Sequence, residues 1–454
     1  MSSISLVLSR MQSYDERPAI IWGDQVLSYT QFCESINLWQ SRLSEAGVKS
    51  GVVCGVLGEF SPTTCAIFFA LMKMQAIIVP FTRAISNELT QFKLIAGVEI
   101  AIEVDENESF FIQREITGSA NPLITEFKKE NVSGLIVFSS GSTGQPKGIL
   151  HNCERVMHKF EIERKPWRSI LFLLMDHFGG FNTFLGAFAY GGVAVCVKDR
   201  QPSAICKVIE GSDATLLPTT PTFINLLIAS RAYSSYDLSS IELITYGTEV
   251  MPEATLSKLK SIFPNAHLKQ TYGLSEVGVL RSKSEGDESL WVKIGGDGFE
   301  VKIKDEILWI RSEANMVGYL NAPSPFDDDG WMCTGDQVEV KGEFMRIIGR
   351  KSEMINVGGQ KVFPSEIETV LLEDANIKEV TAFGVKHELM GHVVHARVSL
   401  HREESMNEFS LRMRKYCAGK LARYKIPVKF ILVKEADQHN NRFKKVRIGL
   451  DSPS

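Results

Sequence analysis

Short apolar runs alternate with amphipathic stretches along most of the chain. Residues 62–75 are almost wholly apolar over a helical length and predict a buried helix. Ala76-Ile77-Ile78-Val79-Pro80 follows as a short strand that proline stops. Residues 135–138, 193–197 and 243–246 repeat the strand signature. A strand that is apolar at every position is buried on both faces, as in parallel sheets covered by helices. The pattern predicts α/β layers with largely parallel strands.

After about residue 290 the pattern changes. Val301-Lys302-Ile303-Lys304 and Ile307-Leu308-Trp309-Ile310 flank Asp305-Glu306, and residues 338–340 and 344–348 flank Gly342. Both read as β-hairpins. From 351 onward, helices over 365–373 and 406–418 mix with strands over 380–385, 393–400 and 428–433. The expected fold is therefore α/β: a large N-terminal domain of α/β layers with a β-rich subdomain (1–350), then a small α+β C-terminal domain (351–454).

Size and charge narrow the function. A chain of 454 residues exceeds one ordinary domain. Its 50 basic and 54 acidic side chains leave a net charge of −4, so no basic field draws nucleic acid or an acidic membrane. The apolar run at the N-terminus is too short for a secretory signal. Residues 65–81 contain Lys73 and Gln75 and are too short and too polar for a membrane span. Eight scattered cysteines form no C-x-x-C pair, which points to reduced thiols and the cytoplasm.

The most informative stretch is Ser139-Ser140-Gly141-Ser142-Thr143-Gly144-Gln145-Pro146-Lys147-Gly148, directly after a buried strand. Glycines let the backbone approach an anion, hydroxyls and N–H groups ring its oxygens, and a lysine adds a point charge. G-x-x-x-x-G-K-[ST] cannot be drawn through it, so it is not a Walker A loop. The segment resembles the phosphate-loop signature of the adenylate-forming superfamily of acyl-CoA synthetases, peptide-synthetase adenylation domains and firefly luciferase.

The other motifs of that superfamily follow in order. Tyr272-Gly273-Leu274-Ser275-Glu276 resembles Y-G-x-T-E, with serine for threonine. The resemblance implies Glu276 on Mg²⁺ and Tyr272, preceded by Thr271, against adenine. Thr334-Gly335-Asp336 and Gly349-Arg350 resemble the motifs whose aspartate and arginine reach the ribose. Tyr246-Gly247-Thr248-Glu249 stands where the family has a Gly-rich turn, with Thr248 for the usual second glycine. The implied ATP site is thus Ser139, Ser140, Gly141, Ser142, Thr143, Gly144, Lys147, Gly247, Thr248, Thr271, Tyr272, Gly273, Ser275, Asp336 and Arg350.

In the C-terminal part, residues 358–368 resemble the first motif of the family's small mobile domain. That implies that Gly358 and Gly359 line a thiol tunnel in the second half-reaction, with Ser352 at the hinge. Near the end, Lys445 matches the catalytic lysine, and Lys444 replaces the usual glycine. Lys445, Lys147 and Glu276 are the implied catalytic residues. His387-Glu388-Leu389-Met390-Gly391-His392 has one residue too many for a zinc-protease H-E-x-x-H and is expected to be a polar turn.

Asp176-His177-Phe178-Gly179-Gly180 precedes an expected helix over 181–190 and resembles the H-x-x-G segment that lines the acyl pocket of acyl-CoA synthetases. His177, Phe178 and Gly180 are the implied pocket residues, while Asp176 keeps an amino acid open as substrate. The chain is short for this family in its N-terminal half, which bears on the acyl tunnel or a homodimer surface. The resemblance implies activation of a carboxylic acid with ATP and Mg²⁺ to an acyl-AMP, with coenzyme A as first-choice acceptor. A carrier-protein phosphopantetheine or an amine is the second reading, and a non-catalytic ATP-binding protein the third.

Overall fold

The structure, a computed structural model, describes residues 2–115, 121–139 and 146–433. Two seven-stranded sheets form its main body. In the first, Pro18–Trp22, Val193–Cys196, Arg168–Ile170, Leu216–Thr219, Leu243–Tyr246 and His267–Gln270 are neighbours in that order, all parallel, with Gln25–Ser28 antiparallel at the edge. In the second, Ile100–Val104, Val53–Leu57, Ile77–Phe81 and Gly134–Ser139 are parallel. Lys147–Asn152 and Gly318–Tyr319 extend its far side antiparallel.

The buried helix expected over 62–75 is Pro62–Lys73. Ser61 caps it, proline opens it, and every residue from Cys65 to Met72 is buried. It packs between the sheets with Phe32, Phe181, Phe184 and Phe188 in the largest core cluster. A second core lies under the first sheet around Phe223, Ile244 and Leu256.

The β-rich part is a six-stranded antiparallel sheet containing Phe299–Lys304, Ile307–Ser312, Met332–Lys341 and Phe344–Arg350. Its first hairpin turns at Asp305 (φ 52°) and Glu306 (φ 62°), the left-handed pair of a two-residue hairpin built without glycine. The second turns at Gly342 (φ 61°).

From Ile355 on, a five-stranded sheet carries the helices Pro364–Leu371 and Met406–Ala418, closed around its own core of Ile367, Val380, Ala396, Phe409 and Phe430. His387 and Gly391 pair where Ile377–His387 turns into Gly391–Leu400. Among the described residues no cluster of three or more His, Cys, Asp or Glu could hold a metal. None of their helices is long and apolar enough to cross a membrane.

Candidate active site

Two abutting cavities open at the carboxyl ends of the parallel strands, where loops diverge and ligands of open α/β sheets bind. The larger is about 330 Å³ and the smaller about 120 Å³, and they share Thr248, Thr271, Tyr272, Gly273, Leu274 and Arg350 as walls. Ser139, Lys147, His177, Phe178, Gly247, Ser275 and Glu276 also line the larger one. Asp336 lines the smaller. Residues more than 200 positions apart in sequence thus meet at one cleft. Ser140, Gly141, Ser142, Thr143, Gly144 and Lys445 lie outside the described residues.

Strand pairing sets Lys147 directly beside Ser139, so both ends of the Gly/Ser segment sit side by side. The Lys147 Nζ lies 4.8 Å from the ring centroid of Tyr319. The Tyr319 hydroxyl donates to Glu276 Oε1 at 2.8 Å. Burial, then the Glu276 charge, raises the Tyr319 phenol above its ordinary value, so it stays a donor. Among the described residues that line the larger cavity, Glu276 is the one carboxylate. That fits Mg²⁺, which is held by one or two carboxylates together with substrate phosphates and water.

Asp336 is buried, with both oxygens engaged: Tyr272 donates its hydroxyl to Oδ2, and Arg350 Nε donates to Oδ1 at 3.1 Å. Burial raises the Asp336 carboxyl, against the pull of the Arg350 guanidinium and the Tyr272 hydroxyl. Burial also raises the Tyr272 phenol, and the Asp336 charge adds to it. Arg350 remains about half exposed at the wall between the cavities.

The turn after Leu243–Tyr246 has a steric basis. A Cβ on Gly247 would stand 2.6 Å from the Thr271 carbonyl oxygen. Thr248 adopts φ 71°, a left-handed conformation costly for a β-branched residue. The family's glycine there would take it without strain. Glu249 Oε2 accepts from the backbone N–H (3.2 Å) and the hydroxyl (2.6 Å) of Thr222 in the first turn of Pro221–Ser230.

The helix expected over 181–190 begins earlier, at Phe178, with His177 as its N-terminal flank. Gly180 therefore lies inside its first turn and lines neither cavity. A Cβ there would come within 2.0 Å of the Leu174 carbonyl oxygen, so close packing, not ligand access, requires the glycine. Gly179, Asn182 and Thr183 line the larger cavity instead. The buried Asp176 accepts from the Thr82 hydroxyl at 3.1 Å and lines neither cavity.

Ser352 sits in a short, exposed 3₁₀ turn, Lys351–Glu353, just after the six-stranded sheet. Gly358 (φ 57°) and Gly359 (φ 86°) form the exposed turn between Ile355–Val357 and Gln360–Val362. In this arrangement neither glycine lines the cavities, although Phe363, Pro364 and Glu368 from the same lobe line the smaller one.

The sequence did not single out His151, Tyr319 or Asn321. His151 is fully buried, with Nε2 2.7 Å from the Ser275 carbonyl oxygen and its ring 4.7 Å from that of Phe178. A carbonyl only accepts, so Nε2 carries the proton. Burial lowers this imidazole to about 4.

The AMP-binding enzyme family matches residues 8–320, and its C-terminal domain matches residues 366–444. The chain belongs to the AMP-binding enzyme family. The two matches leave 321–365 between them and so fix no boundary. Among curated proteins, this AMP-binding enzyme is 27% identical to the indoleacetate–CoA ligase of Aromatoleum aromaticum (strain DSM 19018 / LMG 30748 / EbN1), covering 92% of each chain. It is also 27% identical to the 2-succinylbenzoate–CoA ligase of Geobacillus kaustophilus (strain HTA426), again over 92% of each. Its fold matches the anthranilate CoA ligase AuaEII in complex with anthranoyl-AMP with a TM-score of 0.80 at 20% identity, covering 96% of this chain and 94% of that one.

Proposed function

We propose that this enzyme activates a carboxylic acid with ATP and Mg²⁺ to an acyl-AMP, releases pyrophosphate, and transfers the acyl group to the thiol of coenzyme A. The observation that carries the reading is the meeting of Lys147, Glu276 and Arg350 around one cavity. Two anions, a carboxylate and a polyphosphate, must approach each other there, and cations fixed in place lower that barrier. In this reading Lys147 and the residues from Ser139 to Gly144 hold the β- and γ-phosphates, and Glu276 holds the metal. Thr271, Tyr272, Gly273, Gly247 and Thr248 surround the adenine, and Asp336 and Arg350 take the ribose hydroxyls. Mg²⁺ supplies neutralising charge to the leaving phosphates.

An oxygen of the substrate carboxylate attacks the α-phosphorus, the P–O bond to pyrophosphate breaks, and Lys445 bridges the carboxylate and the α-phosphate. The thiol then attacks the acyl carbon and AMP leaves. CoA-ligase relatives along almost the full chain support the acceptor. The seclusion of Asp176 favours an acid without an α-amino group. The compartment we assign is the cytoplasm, which suits eight cysteines with free thiols.

ATP–pyrophosphate exchange over a panel of acids, with and without coenzyme A, tests this. We expect exchange with at least one acid and a thioester only when coenzyme A is added. Exchange without thioester would move the acceptor to a carrier-protein phosphopantetheine or an amine. Absence of exchange with every acid would leave a non-catalytic nucleotide-binding protein. Lys445→Ala should lower exchange by about 10²–10³ with little change in melting temperature. Wild-type exchange in that variant would remove Lys445 from the mechanism.

A further inference from the structure

Residues 316–321 tie the strand that carries Lys147 to the turn that carries Glu276. Gly318 and Tyr319 pair with Leu150 and Ile149, and Leu320 N donates to the Gly148 carbonyl at 2.8 Å. Asn321 closes this end: its Oδ1 accepts from Gly148 N at 3.0 Å, and its Nδ2 donates to the Pro146 carbonyl at 2.8 Å. At the other end Met316 N donates to the Glu276 carbonyl at 2.8 Å. Between these ties, Tyr319 offers its ring face to Lys147 and its hydroxyl to Glu276.

We propose that Tyr319 and Asn321 are positioning residues that hold Lys147 and Glu276 apart and correctly spaced for a metal-bound polyphosphate. An ammonium and a carboxylate left side by side would pair and cancel. Here each charge engages the tyrosine rather than the other, the ammonium through the ring quadrupole and the carboxylate through one oxygen. Among the described residues, the second carboxylate oxygen then remains for a cation, and the ammonium for phosphate. Groups that orient a metal ligand in this way change metal affinity about 10–100-fold when removed. Asn321 fixes where Lys147 begins its strand, because it grips the backbone on both sides of that residue.

The inference rests on the roles proposed above for Lys147 and Glu276, and its test does not need turnover. Calorimetry measures ATP binding with and without Mg²⁺ for wild type, Tyr319→Phe, Tyr319→Leu and Asn321→Ala, beside each melting curve. Tyr319→Phe keeps the ring and removes the hydroxyl. It should lose about tenfold of the tightening that Mg²⁺ gives, while metal-free ATP binding and melting stay at wild type. Tyr319→Leu and Asn321→Ala should weaken metal-free ATP binding as well. Wild-type Mg²⁺ tightening in Tyr319→Phe, or an equal loss with and without metal, would overturn the inference. If wild type binds Mg-ATP yet exchanges with no acid, the proposed function fails while the binding comparison still decides this point. If wild type binds no ATP, both fall.

Discussion

His151 is fully enclosed, and its Nδ1 has no hydrogen-bond partner among the described residues. Its Nε2–H holds the Ser275 carbonyl, one residue before Glu276. Charging this ring in the folded state would bury a cation, so the imidazole falls from 6.5 to about 4. The unfolded chain takes the proton below 6.5 and the folded one resists it. The contribution is complete above pH 6.5 and is lost as the pH falls from there toward about 4, by up to about 3 kcal/mol. Urea unfolding of wild type and His151→Gln between pH 7 and 5 should show the wild type losing stability faster on acidification. Parallel curves would mean that His151 is not a buried neutral group. Lys147 and Glu276 were legible in the sequence because each sits in a local motif. His151, Tyr319 and Asn321 were not, since they act on partners 124, 43 and 175 residues away. No local pattern encodes such a pairing.

Among the elements, the helix Phe178–Ala189 shows how a local signal can mislead. The H-x-x-G resemblance sets Asp176 to Gly180 before the helix, which puts its expected start three residues late. In the fold Gly179 and Gly180 are helical, and their reasons differ. A Cβ on Gly180 would meet a backbone oxygen at 2.0 Å, whereas one on Gly179 would meet, among the described residues, only Leu173 Cδ1 at an ordinary 3.6 Å. Gly180→Ala must therefore displace the helix from the Leu174 carbonyl, a loss of about 3 kcal/mol by overpacking. Gly179→Ala should fold as wild type and change which acids are accepted, because that position lines the larger cavity. Melting curves of both variants, with exchange over the acid panel for Gly179→Ala, separate the two roles. Equal melting temperatures would contradict the close packing at Gly180. The strands were read more reliably, because an apolar run such as residues 135–138 is too short for an ordinary helix, and length decides where periodicity does not.

At the scale of the molecule, the succession of α/β, β-rich and α+β parts was visible as changes of period. The interleaving was not. The chain starts the first sheet at Pro18–Trp22, builds the second through Lys147–Asn152, and returns to the first at Arg168–Ile170. That order depends on packing between distant segments and leaves no trace in periodicity. The lobe from Ile355 has its own closed core, and residues 351–353 before it are exposed. If the lobe turns about Ser352 between half-reactions, the backbone there must change its dihedrals. Proline fixes φ near −65°, inside the 3₁₀ range, and needs an extended residue before it; Lys351 opens the turn directly after Arg350, which is extended (φ −85°, ψ 135°). Lys351→Pro should thus stiffen the turn that holds Ser352 and keep the present arrangement, in which Gly358 and Gly359 stand away from both cavities. Pyrophosphate exchange should stay within about twofold of wild type, while thioester formation from preformed acyl-AMP falls at least about tenfold. A melting temperature equal to wild type would exclude misfolding as the cause. Equal losses in both half-reactions would place the pivot elsewhere, because a lock at the true pivot must spare the step that the locked arrangement serves.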